Sequence, residues 1–153
     1  LILMALMLGG VIETCGYLEV ILERLMQAVR TVGGLITSVI ASCIFANMFL
    51  GDQYLAIVIP GRMFKPGFEK FETGGRKLAP RMLSRSLEDS GTLTSVLVPW
   101  NTCGAYNSGV LGVATLEYLP YAFLNWLNPL VAIAMTYMGI GVYWKDPESE
   151  PKK

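Results

Sequence analysis

The sequence contains no histidine and only three cysteines, Cys15, Cys43 and Cys103, among its 153 residues. Metal frameworks of the Cys/His type need several such ligands at short spacings, and disulfides need cysteines in pairs. Three widely separated cysteines in apolar surroundings meet neither requirement. We interpret them as small packing residues, which is how a free cysteine usually behaves. The sequence therefore argues against a Cys/His metal framework and a complete set of disulfides.

Charged residues are scarce as well. They make up 16% of the chain, against about 25% in an average soluble domain, and 53% of the residues are hydrophobic. Twelve Lys and Arg balance twelve Asp and Glu, so the chain lacks the basic excess that nucleic-acid-binding proteins carry. No nucleophile and base pair, metal constellation or phosphate-binding loop indicates an enzyme. The composition predicts a membrane protein with no catalytic role, no cofactor and no nucleic-acid partner.

Two segments near the beginning of the chain have helical character. Residues 1–16 begin inside an apolar run, without an initiator methionine or the charged segment of a signal peptide. We expect them to be the later part of a spanning helix in a fragment of a longer protein. Residues 17–32 place apolar side chains at helical spacing between charged ones. This pattern predicts an amphipathic helix at the membrane interface.

Residues 33–61 contain a single charged residue, Asp52. As one helix this segment would measure about 43 Å, more than the ~30 Å hydrocarbon core requires. Gly51 and Asp52 favour a turn, and Pro60 followed by glycine favours a helix end. We therefore predict a re-entrant hairpin that dips to the middle of the membrane, with its tip at Asp52 and its second arm ending at Pro60.

Two further segments are long enough to cross the membrane. Residues 86–115 contain one proline, Pro99, together with glycines and polar residues that disfavour one continuous helix, and irregular backbone at membrane depth is tolerated where it lines a cavity or faces protein. We predict a discontinuous helix that is broken between Pro99 and Gly104. Residues 119–144 carry no charge, which predicts a complete transmembrane helix with a kink at Pro129.

Basic residues are concentrated between positions 61 and 85, where seven Lys and Arg occur. The positive-inside rule places such a cluster on the cytoplasmic face, and a re-entrant hairpin keeps it on the same face as the basic residues before position 31. In this topology the last helix returns to the cytoplasm and Glu117 marks the outer loop. We predict an all-α, polytopic membrane protein in which residues 1–144 form a transmembrane transporter domain and residues 145–153 a polar cytoplasmic tail.

Two carboxylates within the apolar stretches, Asp52 and Asp89, are candidate functional groups, because an ionisable residue inside a membrane is costly. Oxygen-bearing side chains accompany both, and the predicted helix break adds more. Hard cations such as Na+ prefer oxygen ligands, and a carboxylate that binds either a cation or a proton makes the two compete, as cation/proton antiport requires. The candidate cation- and proton-binding residues are Asp52, Gln53, Asp89, Ser90, Thr92, Asn101 and Thr102, with Asp89 and Asn101 as candidate Na+ ligands.

The same residues have structural interpretations, which stay open at this point. Asp52 is a common turn residue. Asp89 follows an arginine-rich segment, where it is placed to form an ion pair or to interact with a helix N-terminus. Asn101 and Thr102 lie beside Pro99, where their side chains are placed to satisfy free backbone groups.

Three ordered runs of residues carry a family resemblance. They are GDQYLAIVIPGRMF at 51–64, LSRSLEDSGT at 83–92 and VPWNTCGA at 98–105. Together they resemble the C-terminal half of the NhaC-type sodium/proton antiporters of the ion transporter superfamily. The similarity extends over nearly the whole chain, so the resemblance is more specific than any one of the runs.

The resemblance implies a polytopic carrier of the inner (plasma) membrane that exchanges Na+ for H+ by alternating access. Such carriers have two inverted repeats, each with a re-entrant hairpin and a broken helix, so this chain would be the C-terminal repeat and about half of a carrier. By position, Asp52 and Gln53 would lie at the hairpin tip, and Asp89 would be the buried titrating carboxylate. Asn101 and Thr102 would lie at the helix break.

The resemblance also implies partners and leaves alternatives. Na+ and H+ would be transported ions, and the other partners would be the lipid bilayer and the N-terminal repeat of the same carrier; a homodimer is compatible with this arrangement. Some members of the family resemble malate/lactate exchangers, which predicts a cationic group near the site, and no Lys or Arg is visible within the apolar stretches. A non-transporting, truncated membrane subunit is the remaining alternative.

Overall fold

The computed structural model describes residues 31–70, 72–73 and 76–144 and, before them, positions 3, 4, 7, 11, 14–16, 20 and 24. Within these ranges the chain is helical, apart from a two-residue β-ladder and connecting turns, which agrees with the predicted all-α class. The predicted helix at 1–16, the amphipathic helix at 17–32 and the tail at 145–153 lie outside the described residues, apart from isolated positions.

The first two described helices are joined by a two-residue connection, at the predicted position. Helix α1 (Val32–Leu50) ends at Gly51, which has a left-handed φ of +65°. Helix α2 (Gln53–Lys70) follows Asp52, whose carboxylate accepts a hydrogen bond from the N–H of Leu55 at 3.0 Å. The turn chemistry of glycine and aspartate therefore interrupts the long apolar segment, as the sequence predicted.

Helix α2 continues beyond the end that the sequence predicted at Pro60. It contains both Pro60 and Pro66 and runs to Lys70. Proline removes one backbone hydrogen bond and favours a kink, but Phe64 and Phe68 lie one turn apart beyond it and are buried in the core. The prediction that the second arm ends at Pro60 is wrong, because core packing outweighs the local helix-breaking tendency.

A short ladder and a second helical stretch follow. Strand β1 (Glu72–Thr73) pairs antiparallel with β2 (Arg76–Lys77). Helix α3 (Pro80–Leu87) then continues through a π-helical turn (Glu88–Thr92) into α4 (Leu93–Ser95). Such π-helical turns are rare, and those that do occur are often found at functional sites.

The predicted helix break is present, slightly earlier than expected. Residues 96–101 are not helical, and the side chain of Asn101 caps the start of helix α5 (Thr102–Leu111). Gly104 lies inside α5, where a Cβ atom would overlap the carbonyl oxygen of Val98. The glycine therefore allows the non-helical segment to pack closely against the new helix.

The uncharged C-terminal stretch is divided. Helix α6 (Thr115–Tyr118) precedes this stretch. The stretch itself begins with a 3-10 turn (Leu119–Tyr121), and helix α7 covers only Phe123–Tyr137, about 22 Å at 1.5 Å per residue. Beyond it Gly139 and Gly141 adopt left-handed φ values. The prediction of one continuous helix over this stretch is wrong. The lack of charge indicated an apolar segment, but proline and glycine chemistry at its ends limits the helix to 15 residues.

Helix α1 forms the centre of the bundle and packs against α2, α3, the π-helical turn and α7. Side chains along it, such as Val39, Cys43 and Leu50, are fully buried. Among the described residues, α1 is the one helix that is long and apolar enough to cross a membrane by length and composition. Helices α5 and α7 leave many large apolar side chains exposed. The elements that carry the predicted site therefore converge on α1.

Candidate functional site

The C-terminal end of α1, the start of α2 and the helix break meet in one place. The N–H of Thr102 donates to the carbonyl of Gly51 at 2.9 Å, and the indole N–H of Trp100 donates to the carbonyl of Met48 at 2.7 Å. The carbonyls at a helix C-terminus carry partial negative charge, and the N–H groups at a helix N-terminus carry partial positive charge. The break therefore brings together two helix ends of opposite polarity.

Two fully buried asparagines join these elements. The side-chain amide of Asn101 donates to the backbone carbonyl and to the side-chain oxygen of Asn47, each at 3.2 Å. The amide of Asn47 in turn donates to the Gly91 carbonyl at 2.8 Å and to the Thr94 hydroxyl at 3.0 Å. Because Gly91 belongs to the π-helical turn, the Asn47 side chain links α1 to that turn and to the break.

Gln53 connects the start of α2 to both sides of the break. Its side-chain oxygen accepts hydrogen bonds from the Cys103 thiol at 2.7 Å and from the Ser95 hydroxyl at 3.1 Å. The side-chain oxygen of Asn101 accepts from the N–H of Cys103 at 3.1 Å and lies 3.5 Å from the Thr102 hydroxyl. We refer to Asn47, Gln53, Thr94, Ser95, Asn101, Thr102 and Cys103 as the break cluster. Throughout the described part of the chain, every buried side-chain nitrogen and oxygen has a hydrogen-bond partner.

A second cluster surrounds Asp89 in the π-helical turn. The side-chain amide of Asn128, on α7, donates to Oδ1 of Asp89 at 2.9 Å. Nε of Arg85 lies 3.4 Å from Oδ2 of Asp89, and Nη1 of Arg85 lies 3.4 Å from the Gly141 carbonyl oxygen. The Asp89 side chain is 22% exposed, whereas the resemblance implied a buried carboxylate. We refer to Arg85, Asp89, Asn128 and Gly141 as the Asp89 cluster.

Three of the predicted site residues make local hydrogen bonds. Asp52 caps α2 through its bond to a backbone N–H, which is the turn interpretation of this residue. Ser90 is buried and donates to the Ser86 carbonyl at 2.6 Å. Thr92 donates to the Glu88 carboxylate at 2.7 Å on the exposed side of the π-helical turn. Each of these bonds lies within one helical segment or its cap.

The other four predicted residues are divided between the two clusters. Gln53, Asn101 and Thr102 belong to the break cluster, and Asp89 belongs to the Asp89 cluster. The two candidate Na+ ligands, Asp89 and Asn101, therefore make their hydrogen bonds in different clusters. The π-helical turn connects the clusters, because it contains Asp89 and its Gly91 carbonyl receives the Asn47 amide.

The sequence analysis assigned no role to Asn128. It offered an ion pair between Asp89 and the arginine-rich segment before it, without naming Arg85, and the structure forms that pair with Arg85. Asn125 and Asn128 are amides three residues apart in an otherwise apolar helix, and Asn125 donates to the carbonyl of Leu93 at 2.8 Å. That spacing puts both amides on one face of a helix, so the sequence alone indicated a polar face on this apolar helix. Arg85 and Asp89 are four residues apart, a spacing that also places two helical side chains together.

Comparison with known proteins shows a consistent similarity. The sequence profile of the Na+/H+ antiporter family matches residues 1–140. The chain is 40% identical over 142 residues to the Na(+)/H(+) antiporter NhaC of Alkalihalophilus pseudofirmus, an alignment that covers 93% of this chain and 30% of that protein. It is 37% identical over 149 residues to the arginine/ornithine antiporter ArcD of Halobacterium salinarum, with 97% and 30% covered. It is 31% identical over 143 residues to the malate-2H(+)/Na(+)-lactate antiporter of Bacillus subtilis, with 94% and 30% covered.

No solved structure matches the chain. The chain spans about 30% of the length of these relatives, less than the half of a carrier that the resemblance implied. The similarity to NhaC confirms the resemblance and is consistent with a piece of the C-terminal half. The relatives are antiporters, so the predictions of a membrane protein and of no enzymatic activity are confirmed. The chain belongs to the Na+/H+ antiporter family.

Proposed function

We propose that the carrier containing this chain is a secondary active transporter that exchanges Na+ for H+ across the cell membrane by alternating access. Asp89 is the carboxylate at which the two cations compete. The geometry of Asp89 supports this assignment, because Asn128 fixes Oδ1 while Oδ2 faces the loosely held guanidinium of Arg85. One carboxylate oxygen is thus oriented by a neutral amide, and the other is available for exchange.

The break cluster supplies neutral oxygen atoms to the proposed ion path. Hard cations prefer oxygen ligands, and a discontinuous helix presents backbone carbonyls and half-helix ends to an ion. Asn101 and Thr102 stand at the start of α5, and Gln53 approaches them from the start of α2. We assign these oxygens as further ligands along the path, with Asn101 as the second Na+ ligand besides Asp89.

The proposed arrangement is one repeat of a polytopic carrier of the inner (plasma) membrane. Helices α1 and α2 form its re-entrant hairpin, and the support is the tight connection at Gly51 and Asp52, which packs against the helix break. The exposed apolar side chains of α5 and α7 face lipid or the N-terminal repeat of the same carrier. In this arrangement Na+ and H+ are cargo rather than cofactors, the C-terminal end is cytoplasmic, and a homodimer is compatible.

The proposal is tested by replacing Asp89 with Asn in the full-length protein. We expect Na+-dependent proton flux in reconstituted vesicles to be abolished, because the amide keeps the shape of the side chain but supplies no negative charge and no proton-binding oxygen. Glu88→Gln is the matched control, since Glu88 is adjacent, exposed and bonded to Thr92; this variant should transport normally. Near-normal exchange by the Asp89→Asn variant would contradict the proposal.

An organic-acid antiporter is the second candidate, and one observation favours it. The sequence showed no cation within the apolar stretches, but the structure places the Arg85 guanidinium beside Asp89, and guanidinium groups bind carboxylates well. One relative is named as a malate/lactate antiporter. Malate- or lactate-dependent flux that exceeds Na+-dependent proton flux would favour this candidate. A correctly inserted protein with neither flux would indicate the non-transporting subunit.

A further inference from the structure

Arg85 is held between Asp89 and the turn that follows α7. We propose that Arg85 is a tethered counter-cation, whose guanidinium pairs with Asp89 when no transported cation is bound there and withdraws when one binds. Because Arg85 acts through Asp89, it is a positioning residue. The inference rests on the proposed function, since it requires Asp89 to be the exchange site.

The two carboxylate oxygens of Asp89 are held unequally. The bond from the Asn128 amide to Oδ1 is 2.9 Å long, so a neutral group from α7 sets the orientation of the carboxylate. The contact from Arg85 to Oδ2 is 3.4 Å, longer than the about 2.7–2.9 Å of a strong guanidinium–carboxylate bond. A cation that approaches Oδ2 therefore competes with a weak contact and leaves the Asn128 bond intact.

The guanidinium has a second acceptor close by. Nη1 of Arg85 lies 3.4 Å from the Gly141 carbonyl oxygen, and Gly141 has a φ of +74°. A Cβ atom at position 141 would lie 2.9 Å from Nη1, so glycine at this position lets the guanidinium stay this close to the turn without shifting. Met135 and Ile140 line the same small cavity. Arg85 is therefore placed to leave Asp89 and to remain hydrogen-bonded to the turn.

The charge balance disfavours a bound cation and the Arg85 guanidinium at Asp89 at the same time. The pair of Arg85 and Asp89 is neutral, whereas Asp89 with a bound cation beside Arg85 carries one net positive charge. Partly buried charges are screened less than exposed ones, so a bound cation weakens the contact between Arg85 and Asp89 and favours the arrangement in which the guanidinium bonds to the turn. This movement links ion occupancy at Asp89 to the turn after α7. Alternating access needs such a contact, because a ligand shifts a conformational equilibrium only through differential interactions.

The test measures proton flux at fixed pH in vesicles that contain the full-length protein, as a function of Na+ concentration. Arg85→Gln removes the competing charge and should lower the KM for Na+ about threefold to tenfold without raising kcat. Arg85→Met keeps the apolar stem and should give the same shift. Arg85→Lys keeps the charge and should restore KM to within about twofold of the parent value.

Arg81→Gln is the matched control for the loss of an arginine from α3. Arg81 lies one turn before Arg85, is exposed and stands over the ring of Tyr143 at 4.5 Å, so its variant should leave KM unchanged. Na+-dependent stabilisation of the detergent-solubilised protein provides a readout without transport. The Arg85→Gln variant should be stabilised at lower Na+ concentrations than the parent, which a merely structural ion pair would not cause.

Several outcomes would overturn the role of Arg85. They are an unchanged or raised KM in the Arg85→Gln and Arg85→Met variants, or a failure of both neutral variants to accumulate while Arg85→Lys accumulates normally. The Asp89→Asn variant separates this inference from the proposed function. Exchange that survives Asp89→Asn removes both, whereas abolished exchange together with an unchanged KM in Arg85→Gln removes only the counter-cation.

Discussion

The break cluster and the Asp89 cluster share one helical stretch but hold their polar groups differently. The break cluster is neutral, its two asparagines are fully buried, and its hydrogen bonds connect α1, α2 and both sides of the break. The Asp89 cluster contains two side chains of opposite charge, is partly exposed, and includes two contacts of 3.4 Å. The break cluster therefore forms a rigid joint that fixes the helix break, whereas the Asp89 cluster contains a weak contact, which can be lost at little cost in free energy.

The largest loss of stability is expected from a substitution of Asn47 in the break cluster. Asn47→Ala removes the donor to Gly91 and Thr94 and the acceptor for Asn101 in a fully buried site, which should lower the free energy of unfolding by about 3 kcal/mol. Denaturation of the solubilised full-length protein measures this loss. Asn107→Ala is the control, because Asn107 makes one bond, to the Cys103 carbonyl, in a half-buried position. Equal losses of stability in the two variants would mean that the break cluster contributes no more to the fold than a single half-buried hydrogen bond.

The next largest loss of stability is expected where a new side-chain atom would displace the backbone of the helix break. In Gly104→Ala the new Cβ meets the carbonyl of Val98 and has no rotamer that avoids it, which should cost about 2 kcal/mol of stability. Gly109 lies in the same helix, and a Cβ atom added there would have no other atom within 4 Å among the described residues, so Gly109→Ala should stabilise the protein by about 0.5–1 kcal/mol. The two variants are compared by thermal denaturation. A harmless Gly104→Ala would show that the break tolerates displacement and is not rigid.

The positions of the interruptions were predictable because their causes are local. Gly51 and Asp52 carry turn chemistry in their own side chains and backbone. Pro99 lies in the non-helical segment 96–101, and Asn101 caps the helix that follows it. The continuation of α2 through Pro60 was not predictable, because it depends on the burial of aromatic residues that lie beyond the proline. Local rules therefore locate a break but do not show when packing overrides it.

The partners within the site were harder to predict than the site residues. Asn101 was identified at the break, but its partner Asn47 lies 54 residues away in the chain, and Asn128 lies 39 residues from Asp89. Such pairings depend on how the helices pack and leave no trace in local spacing. Arg85 is the opposite case, because its four-residue separation from Asp89 is visible in the sequence, and the contact between them agrees with the interpretation of Asp89 as an ion-pair partner of the arginine-rich segment before it.

Substitutions in the Asp89 cluster should change the affinity for Na+ more than the stability of the fold. Asn128→Ala frees Oδ1 of Asp89 and should raise the KM for Na+ about fivefold, while it lowers the free energy of unfolding by at most about 1 kcal/mol. Asn125→Ala is the matched control on the same helix, because Asn125 bonds to the Leu93 carbonyl and not to Asp89. Na+ titration of proton flux distinguishes the two. A KM that rises equally in both variants would assign the effect to α7 as a whole.

The smallest effect is expected at Asp52, which directly precedes Gln53 of the break cluster in the chain and was predicted as an ion ligand. Its carboxylate caps α2 through the N–H of Leu55, and asparagine caps a helix about as well as aspartate. Asp52→Asn should therefore leave Na+/H+ exchange intact and change stability by less than about 0.5 kcal/mol, whereas Asp52→Ala should cost about 1 kcal/mol. Flux and denaturation measurements on both variants separate cap from ligand. Loss of exchange in a stable Asp52→Asn protein would return Asp52 to the ion path and place a second charge beside the break cluster.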